Sequence, residues 1–188
     1  MTKKHNRVAL IDMDGTLADF DGQMRRDLSA MQGPNEPDPV FGPTDDFHHI
    51  EARKNAIKAK PGWWRSLPAL PDGFRVLEML RSHEFRLVIL TKGPFKTTAA
   101  WSEKVDWCRA YIPDASVTIT EDKGLVYGKI LVEDWPPYIE QWLEWRERGL
   151  VILMDRPWNQ DLHHPNVFRY RGQQDDVELG RRLREIPV

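Results

Sequence analysis

Residues 7–20, RVALIDMDGTLADF, combine an apolar run with two aspartates and a glycine, and they indicate the type of fold. Residues 7–12 form a short run of apolar and β-branched residues without helical spacing, which predicts a buried strand. Asp12 and Asp14 are two positions apart, so their side chains share a side of an extended chain. Gly15 then lets the chain turn sharply and present backbone N–H groups to an anion. The stretch therefore predicts a ligand site at the carboxyl end of a buried strand.

Five further runs of this kind follow along the chain, with helical patterns between them. The predicted strands are residues 85–91, 116–120, 129–133, 150–154 and 167–170. The predicted helices are residues 74–81, 96–111, 137–148 and 175–186. Strands that alternate with helices form right-handed βαβ units. The sequence thus predicts an α/β fold, with a doubly wound parallel sheet in a Rossmann-like core.

One segment breaks this alternation. Roughly 55 residues without a strand signal separate the first strand from Phe74, which is too long for an ordinary loop. They contain two weak helical patterns, residues 20–31 and 45–60, joined by a linker rich in proline and glycine. We therefore predict a small helical cap, inserted after the first strand over the carboxyl edge of the sheet. The predicted division is residues 1–18 and 74–188 for the core and 19–73 for the cap.

Composition excludes several classes of protein. Hydrophobic residues make up 40% of the 188 residues, enough to bury a core. Lys and Arg number 27 against 29 Asp and Glu, so no basic excess favours a nucleic-acid polymer. The single cysteine, Cys108, makes no internal disulfide, and we expect neither a membrane span nor a signal peptide. These features predict a soluble cytoplasmic protein.

Polar side chains follow several of the predicted strands. Asp12 and Asp14 repel each other unless a cation lies nearby, and hard oxygen ligands suit Mg²⁺. Asp134 can supply a third carboxylate, Thr91 a hydroxyl donor and Lys123 a positive charge. Taken alone, Thr91 is better explained as a strand-end cap and Lys123 as a solvated side chain. Their order on successive strand ends instead predicts a phosphate site with a metal, one carboxylate to attack and one to move a proton.

These residues resemble the motifs of the haloacid dehalogenase-type phosphatase superfamily. Residues 12–17, DMDGTL, match its first motif, and the matches to the later motifs are Thr91, Lys123 and the pair Glu133 and Asp134. The resemblance implies a phosphoaspartyl mechanism in which Asp12 attacks phosphorus and Asp14 protonates the leaving oxygen, then activates water. By the same resemblance, Thr91 and Lys123 hold the transferring phosphoryl group.

The resemblance to this superfamily also implies a metal site. Mg²⁺ would be held by Asp12, by Asp134 and by the backbone carbonyl of Asp14. Glu133 would lie outside the direct ligands or bind the metal through water.

A narrower resemblance is to the 5′(3′)-deoxyribonucleotidases. DMDGTLADF, residues 12–20, is similar to their DMDGVLADF opening, and EDKGLVYGKILVEDWP, residues 121–136, to their stretch from the third-motif lysine to the acidic pair. The run from ILTKGPFK to WCRAYI, residues 89–112, resembles their second-motif helix. The phenylalanine at the position of Phe20 stacks on the nucleobase in that family, which implies that Phe20 contacts substrate. Lys92 stands where the family commonly has serine, which leaves open whether it binds phosphate or faces solvent.

WWRSLPALPDG, residues 63–73, resembles the end of the cap in that family. Trp63 and Trp64 are candidates for an aromatic wall that stacks on a base, since such stacking tolerates every base. The alternative is that both rings only pack the cap onto the core.

The sequence thus predicts a Mg²⁺-dependent phosphatase of (deoxy)nucleoside monophosphates. The predicted catalytic residues are Asp12, Asp14, Thr91 and Lys123; the predicted substrate contacts are Gly15, Phe20, Trp63, Trp64 and Lys92; the predicted metal ligands are Asp12, Asp14 and Asp134. Two alternatives stay open: the same chemistry on a sugar phosphate or other small phosphoester, and a catalytically silent binding protein. The expected partner is a small phosphorylated molecule, not a nucleic-acid polymer or a membrane, and a homodimer is left open.

Overall fold

The computed structural model describes residues 7–36, 48–95 and 97–187. Its strands are β1 (Val8–Ile11), β2 (Arg86–Thr91), β3 (Ser116–Ile119), β4 (Ile130–Glu133), β5 (Leu150–Met154) and β6 (Val167–Tyr170). They form one parallel sheet in the order β3-β2-β1-β4-β5-β6. All six predicted strands are confirmed; the apolar runs of the central strands mark segments buried on both faces of a sheet, whereas the edge strands β3 and β6 are only partly buried.

Successive residues of the strands supply two separate hydrophobic cores. In β1, Ala9 and Ile11 belong to one core, whereas Leu10 belongs to the other. This alternation follows from the two-residue period of a strand. Because the chain order reverses at the neighbouring strands β1 and β4, the sheet is doubly wound. In such sheets the crevice at the carboxyl ends of those two strands is where ligands bind.

The helices are α1 (Phe20–Ala30), α2 (His48–Lys58), α3 (Pro71–Ser82), α4 (Ala99–Tyr111), α5 (Pro136–Leu143) and α6 (Asp176–Glu185). Buried residues of α3, α4 and α6 pack on one face of the sheet and those of α5 on the other. Among the described residues, no helix has the length and apolar character needed to cross a membrane.

Several helix ends differ from the sequence prediction. Helix α3 begins at Pro71 rather than at Phe74, because proline fits the first turn of a helix. Helix α5 ends at Leu143 rather than at residue 148, since its buried face stops at Trp142 and Trp145 is exposed. Residues 45–47 and 96, which the helix predictions included, lie outside the described residues.

The two ends of the segment between β1 and α3 lie side by side. Ala18 forms an antiparallel bridge with Ala69, and the backbone N–H of Asp19 donates to the carbonyl of Pro68 at 2.8 Å. Between these points the chain forms α1, α2 and a 3₁₀ turn over Trp64–Ser66. The segment that carries the two helices therefore begins and ends beside the loop that carries Asp12 and Asp14.

Candidate active site

Three buried carboxyl groups meet at the carboxyl ends of β1 and β4. Asp12 follows β1, Glu133 ends β4 and Asp134 comes next. Because Ile11 lies opposite Val132 in the sheet register, Asp12 lies beside Glu133, and its N–H donates to the Val132 carbonyl at 2.9 Å. Oxygen atoms of the three carboxyls lie within 4.8 Å of one another. We call Asp12, Glu133 and Asp134 the acidic floor.

Lys123 reaches the acidic floor from a 3₁₀ turn between β3 and β4. Its Nζ donates to Oδ1 of Asp12 at 2.5 Å and to Oε2 of Glu133 at 2.6 Å, and the side chain is 1% exposed. Burial alone would lower the pKa of Lys123, but the charges of Asp12 and Glu133 raise it above its ordinary value. Lys123 is therefore a fixed positive charge at the acidic floor.

One lysine does not balance the negative charge of the floor. Burial, followed by the charge of Glu133, raises the pKa of Asp12 to about 8 despite the opposing effect of Lys123. Burial and the charges of Glu133 and Asp12 raise the pKa of Asp134 well above its ordinary value. Clustered oxygen ligands with raised pKa values are the environment in which a divalent cation is most stabilising.

Gly15 makes room for the acidic floor. Its φ is +79°, and a Cβ atom there would lie 2.5 Å from Oδ2 of Asp134. The Arg156 guanidinium donates twice to the Gly15 carbonyl, at 3.0 and 2.7 Å. Trp158 donates its indole N–H to Asp134 at 3.2 Å, and the Asn159 amide donates to the Asp134 carbonyl at 2.8 Å. These contacts fix the turn and orient the Asp134 carboxyl.

Asp14 and Thr91 are joined by a buried lysine that the sequence analysis did not single out. The Nζ of Lys104, on α4, donates to Oδ2 of Asp14 at 2.5 Å and to Oγ1 of Thr91 at 3.0 Å. Lys104 occupies the buried face of α4, one turn from both Ala100 and Cys108. A lysine among the apolar positions of a predicted helix was the signal that could have found it.

Phe20, Trp63 and Trp64 form an aromatic wall. The Phe20 ring stacks on Trp64 with centroids 5.4 Å apart and contacts the edge of Trp63 at 5.5 Å. Trp64 donates its indole N–H to the carbonyl of Lys58 at 3.0 Å, and Trp63 donates to the carboxylate of Asp27 at 2.7 Å. The rings of both tryptophans are thus held in place by apolar packing and by one indole hydrogen bond each.

A cavity of about 470 Å³ lies between the acidic floor and the aromatic wall. Of the predicted site residues, those that line it are Asp12, Asp14, Phe20, Trp64, Lys92, Lys123 and Asp134. Gly15 and Thr91 lie behind this lining through their contacts with Asp134 and Lys104, and Trp63 lies behind Phe20. Lys92 is exposed, and its Nζ lies 5.8 Å from the Tyr138 ring.

Several further residues that line this cavity were not predicted from the sequence: Asp21, Lys54, Lys58, Tyr138 and Trp158. The pKa of Asp21 is raised to about 6, first by burial and then by the charge of Asp14. Lys54 and Lys58 lie one helical turn apart on α2, so they share a face of that helix. Nothing in their local sequence patterns distinguishes these residues from solvated side chains.

Comparison with known proteins identifies the family of this chain. A family model described as "5′ nucleotidase, deoxy (Pyrimidine), cytosolic type C protein" matches residues 6–182. A protein of Bordetella pertussis named "Putative 5′(3′)-deoxyribonucleotidase" is 27% identical over 162 residues, which cover 81% of this chain and 85% of that protein. The human protein named "5′(3′)-deoxyribonucleotidase, mitochondrial" is 28% identical over 144 residues, covering 68% of this chain and 61% of that protein.

A solved structure shares the fold. A "putative haloacid dehalogenase-like hydrolase" from Burkholderia xenovorans LB400 superposes with a TM-score of 0.60 and 15% identity. The match covers 97% of this chain and 100% of that chain. The likeness shows that the six-stranded parallel sheet and its helices form a haloacid dehalogenase-like fold.

Proposed function

Because the chain belongs to the cytosolic type C family of deoxy (pyrimidine) 5′ nucleotidases, we propose that it is a Mg²⁺-dependent phosphatase of (deoxy)nucleoside monophosphates. The observation that carries the proposal is that one cavity contains both the acidic floor and an aromatic surface formed by Phe20 and Trp64. The floor suits a phosphoryl group with a metal, and the aromatic surface suits a base.

The first step transfers the phosphoryl group to Asp12. A carboxylate oxygen of Asp12 attacks phosphorus while the bond from phosphorus to the leaving oxygen breaks, and Asp14 gives that oxygen a proton. Lys123 lies beside the attacking carboxylate at 2.5 Å, where its charge stabilises the oxygens of the transferring group. Thr91 supplies a hydroxyl donor at the end of the neighbouring strand.

The second step releases phosphate. Asp14, now a carboxylate, takes a proton from water as the water oxygen attacks phosphorus and the bond to Asp12 breaks. We further propose that residues 19–73 act as a cap, since α1 and the 3₁₀ turn supply the aromatic residues while the strand ends supply the acids. Closure of such a cap would exclude water from the first step and admit it to the second.

The donor set fits Mg²⁺. The acidic floor offers buried carboxylate oxygens within 4.8 Å of one another, and burial together with the neighbouring carboxylates raises the pKa values of Asp12 and Asp134. Asp12 and Asp134, with the backbone carbonyl of Asp14, would hold the ion, and Glu133 would bind it through water. When bound, Mg²⁺ polarises the phosphoryl oxygens and lowers the repulsion between phosphate and Asp12.

The aromatic wall favours a nucleotide over a sugar phosphate. Stacking of a base on an aromatic ring contributes about 1–3 kcal/mol, a gain that a sugar cannot match. Phe20 is half-buried and lines the cavity, so its ring is accessible to a planar group.

Lys92, also on the cavity lining, is proposed as a contact of the phosphate.

Phosphate release tests the proposal. Purified protein would receive ribo- and deoxyribonucleoside 5′- and 3′-monophosphates and several sugar phosphates, with Mg²⁺ or with a chelator. We expect metal-dependent release from nucleotides and its loss in Asp12→Asn. The matched control is Asp114→Asn, which removes an exposed carboxylate paired with Arg81 and should leave the rate unchanged.

Other outcomes discriminate between the alternatives. Release from sugar phosphates alone would keep the chemistry and reject the nucleotide. Absence of release from every compound by the folded protein would favour a silent binding protein.

A further inference from the structure

The ammonium group of Lys104 is fully engaged inside the protein. An ammonium has three hydrogens to donate. Lys104 Nζ donates to Oδ2 of Asp14 at 2.5 Å, to Oγ1 of Thr91 at 3.0 Å and to the carbonyl of Lys92 at 2.7 Å. The Trp64 ring covers it at 4.6 Å, and the side chain is 1% exposed. Lys104 thus joins the loop after β1, the end of β2 and the aromatic wall.

This contact makes the two oxygens of Asp14 unequal. Since an ammonium has no acceptor, Oδ2 can only accept a hydrogen bond from Lys104, and a proton carried by Asp14 must then lie on Oδ1. Oδ1 is buried and has no hydrogen-bond partner among the residues that the structure describes. Asp14 also lines the cavity. The oxygen that can carry the proton is therefore the one without a protein partner.

We propose that Lys104 is the positioning residue for proton transfer by Asp14. It holds Oδ2, confines the proton to Oδ1 and keeps Oδ1 directed at the leaving oxygen of the substrate. When the bond from phosphorus to that oxygen breaks, the proton passes from Oδ1 to the oxygen, and the new carboxylate remains paired with the ammonium. The proposal rests on the proposed phosphatase function.

Anchoring of the aromatic wall does not require Lys104. The neighbouring Glu103 accepts hydrogen bonds from the backbone N–H groups of Gly62, at 2.6 Å, and Trp64, at 3.1 Å. This carboxylate already fastens α4 to the turn that carries the wall. A buried lysine is costly to desolvate, so an apolar side chain would suit a purely structural position on α4 better.

A comparison of leaving groups tests the proposal. The leaving group of a nucleoside 5′-monophosphate is an alkoxide, which needs a proton to leave. The leaving group of p-nitrophenyl phosphate is nitrophenolate, which leaves without one. In Lys104→Met we expect kcat/KM for the nucleotide to fall about 10²–10³-fold, within the range of general acid catalysis, and that for p-nitrophenyl phosphate to change only a few-fold. Equal losses on both substrates, or no loss on either, would overturn the proposal.

Two further variants keep the test decisive. Trp107→Phe removes a buried indole on the same helix, whose N–H donates to the Leu67 carbonyl at 2.8 Å, without touching Asp14. It should affect both substrates equally, and a nucleotide-selective loss there would overturn the proposal. If Lys104→Met does not fold, Lys104→Gln replaces it; the ratio of the two kcat/KM values should still shift against the nucleotide, and an unchanged ratio would overturn the proposal.

The result is separable from the proposed function. If the wild-type protein hydrolyses a sugar phosphate but no nucleotide, the proposed substrate fails, and the sugar phosphate takes the place of the nucleotide because its leaving group is also an alkoxide. A larger fall in kcat/KM for the sugar phosphate than for p-nitrophenyl phosphate in Lys104→Met would then still support the role of Lys104.

Discussion

The acidic floor and the aromatic wall form two sides of one cavity but are held by different forces. The floor consists of Asp12, Glu133 and Asp134 at adjacent strand ends, so the sheet register sets its geometry. Its carboxyls repel one another, and Lys123 offsets only part of that repulsion. The wall consists of three rings from the segment between β1 and α3. Their ring centroids lie 5.0–5.5 Å apart.

This difference indicates that the floor provides the chemistry and the wall provides the selectivity for a base. The floor gains stability from added positive charge and loses it when a cation is removed. The wall depends on apolar packing and on hydrogen bonds of Trp63 and Trp64 to groups outside the floor, so it does not require a metal. Changes to the floor should therefore affect every substrate, whereas changes to the wall should affect only substrates with a base.

The largest expected effect comes from removing the lysine of the floor. Lys123→Met leaves the buried Asp12 and Glu133 without their shared cation, which should destabilise the protein by about 3–5 kcal/mol. Phosphate release should fall about 10²–10³-fold or more for every substrate, since a charge beside the transferring group is lost. Urea unfolding with a chelator and initial rates would measure the two effects.

Lys129→Met is the matched control for this variant. Lys129 lies near the amino end of β4, and its Nζ donates to the Pro187 carbonyl at the surface. It should change neither stability nor rate appreciably. A Lys123→Met protein that kept its activity, or lost it for nucleotides alone, would contradict the separation between floor and wall.

A smaller, substrate-selective effect should follow from a change in the wall. Phe20→Leu keeps an apolar side chain but removes the ring, so kcat/KM for a nucleotide should fall about 10–100-fold, the equivalent of one stacked base. Rates with a small phosphoester that lacks a base should stay within a few-fold. Trp63→Phe is the comparison variant: because Trp63 lies behind Phe20, it should cost less. An equal loss on both kinds of substrate would show that the wall supports the floor instead.

The last expected effect concerns stability alone and is the pH dependence of the metal-free floor. The pKa of Asp12 is raised from 3.8 to about 8, so between these values the folded protein binds more protons than the unfolded chain. The stabilising contribution of the protonated group is complete at low pH and is lost as pH rises toward 8. With a chelator, wild-type protein should therefore lose stability relative to Asp12→Asn between pH 5 and pH 8.

Thermal unfolding of the two proteins would measure this trend. Mg²⁺ should raise the Tm of the wild-type protein more at pH 8 than at pH 5, because the carboxyls that bind it are then ionised. A Tm difference between the two proteins that did not change with pH would contradict the charge imbalance assigned to the floor.

Much of the fold follows from local sequence patterns. All six strands could be predicted. The central strands are buried on both faces and need a run of apolar residues such as LVILM at 150–154, while the partly buried edge strands β3 and β6 carry a weaker pattern. Helix ends were predicted less well. Pro71 fits the first turn of α3 in a way that apolar spacing from Phe74 did not reveal, and α5 stops where its buried face stops.

The candidate site likewise contains residues that could be predicted from local sequence patterns and residues that could not. Asp12, Thr91 and Asp134 could be placed at strand ends because each ends or directly follows an apolar run that predicts a strand. Lys104 could not be paired with Asp14, since the two are 90 positions apart and meet only when α4 packs beside the loop after β1. Trp63 and Trp64 are adjacent in sequence, yet only Trp64 lines the cavity.

The strands, the acidic motif after β1 and the polar residues that follow the later strands could all be read from local sequence patterns. These are local patterns, set by the period of a strand and by residues a few positions apart. The three-dimensional structure was needed to show that Lys104 engages both Asp14 and Thr91, that Phe20 contacts Trp63, and that Lys123 pairs with two of the three buried carboxyls. Each of these depends on distant elements packing together, because burial and charge at a site are sums over every segment that surrounds it.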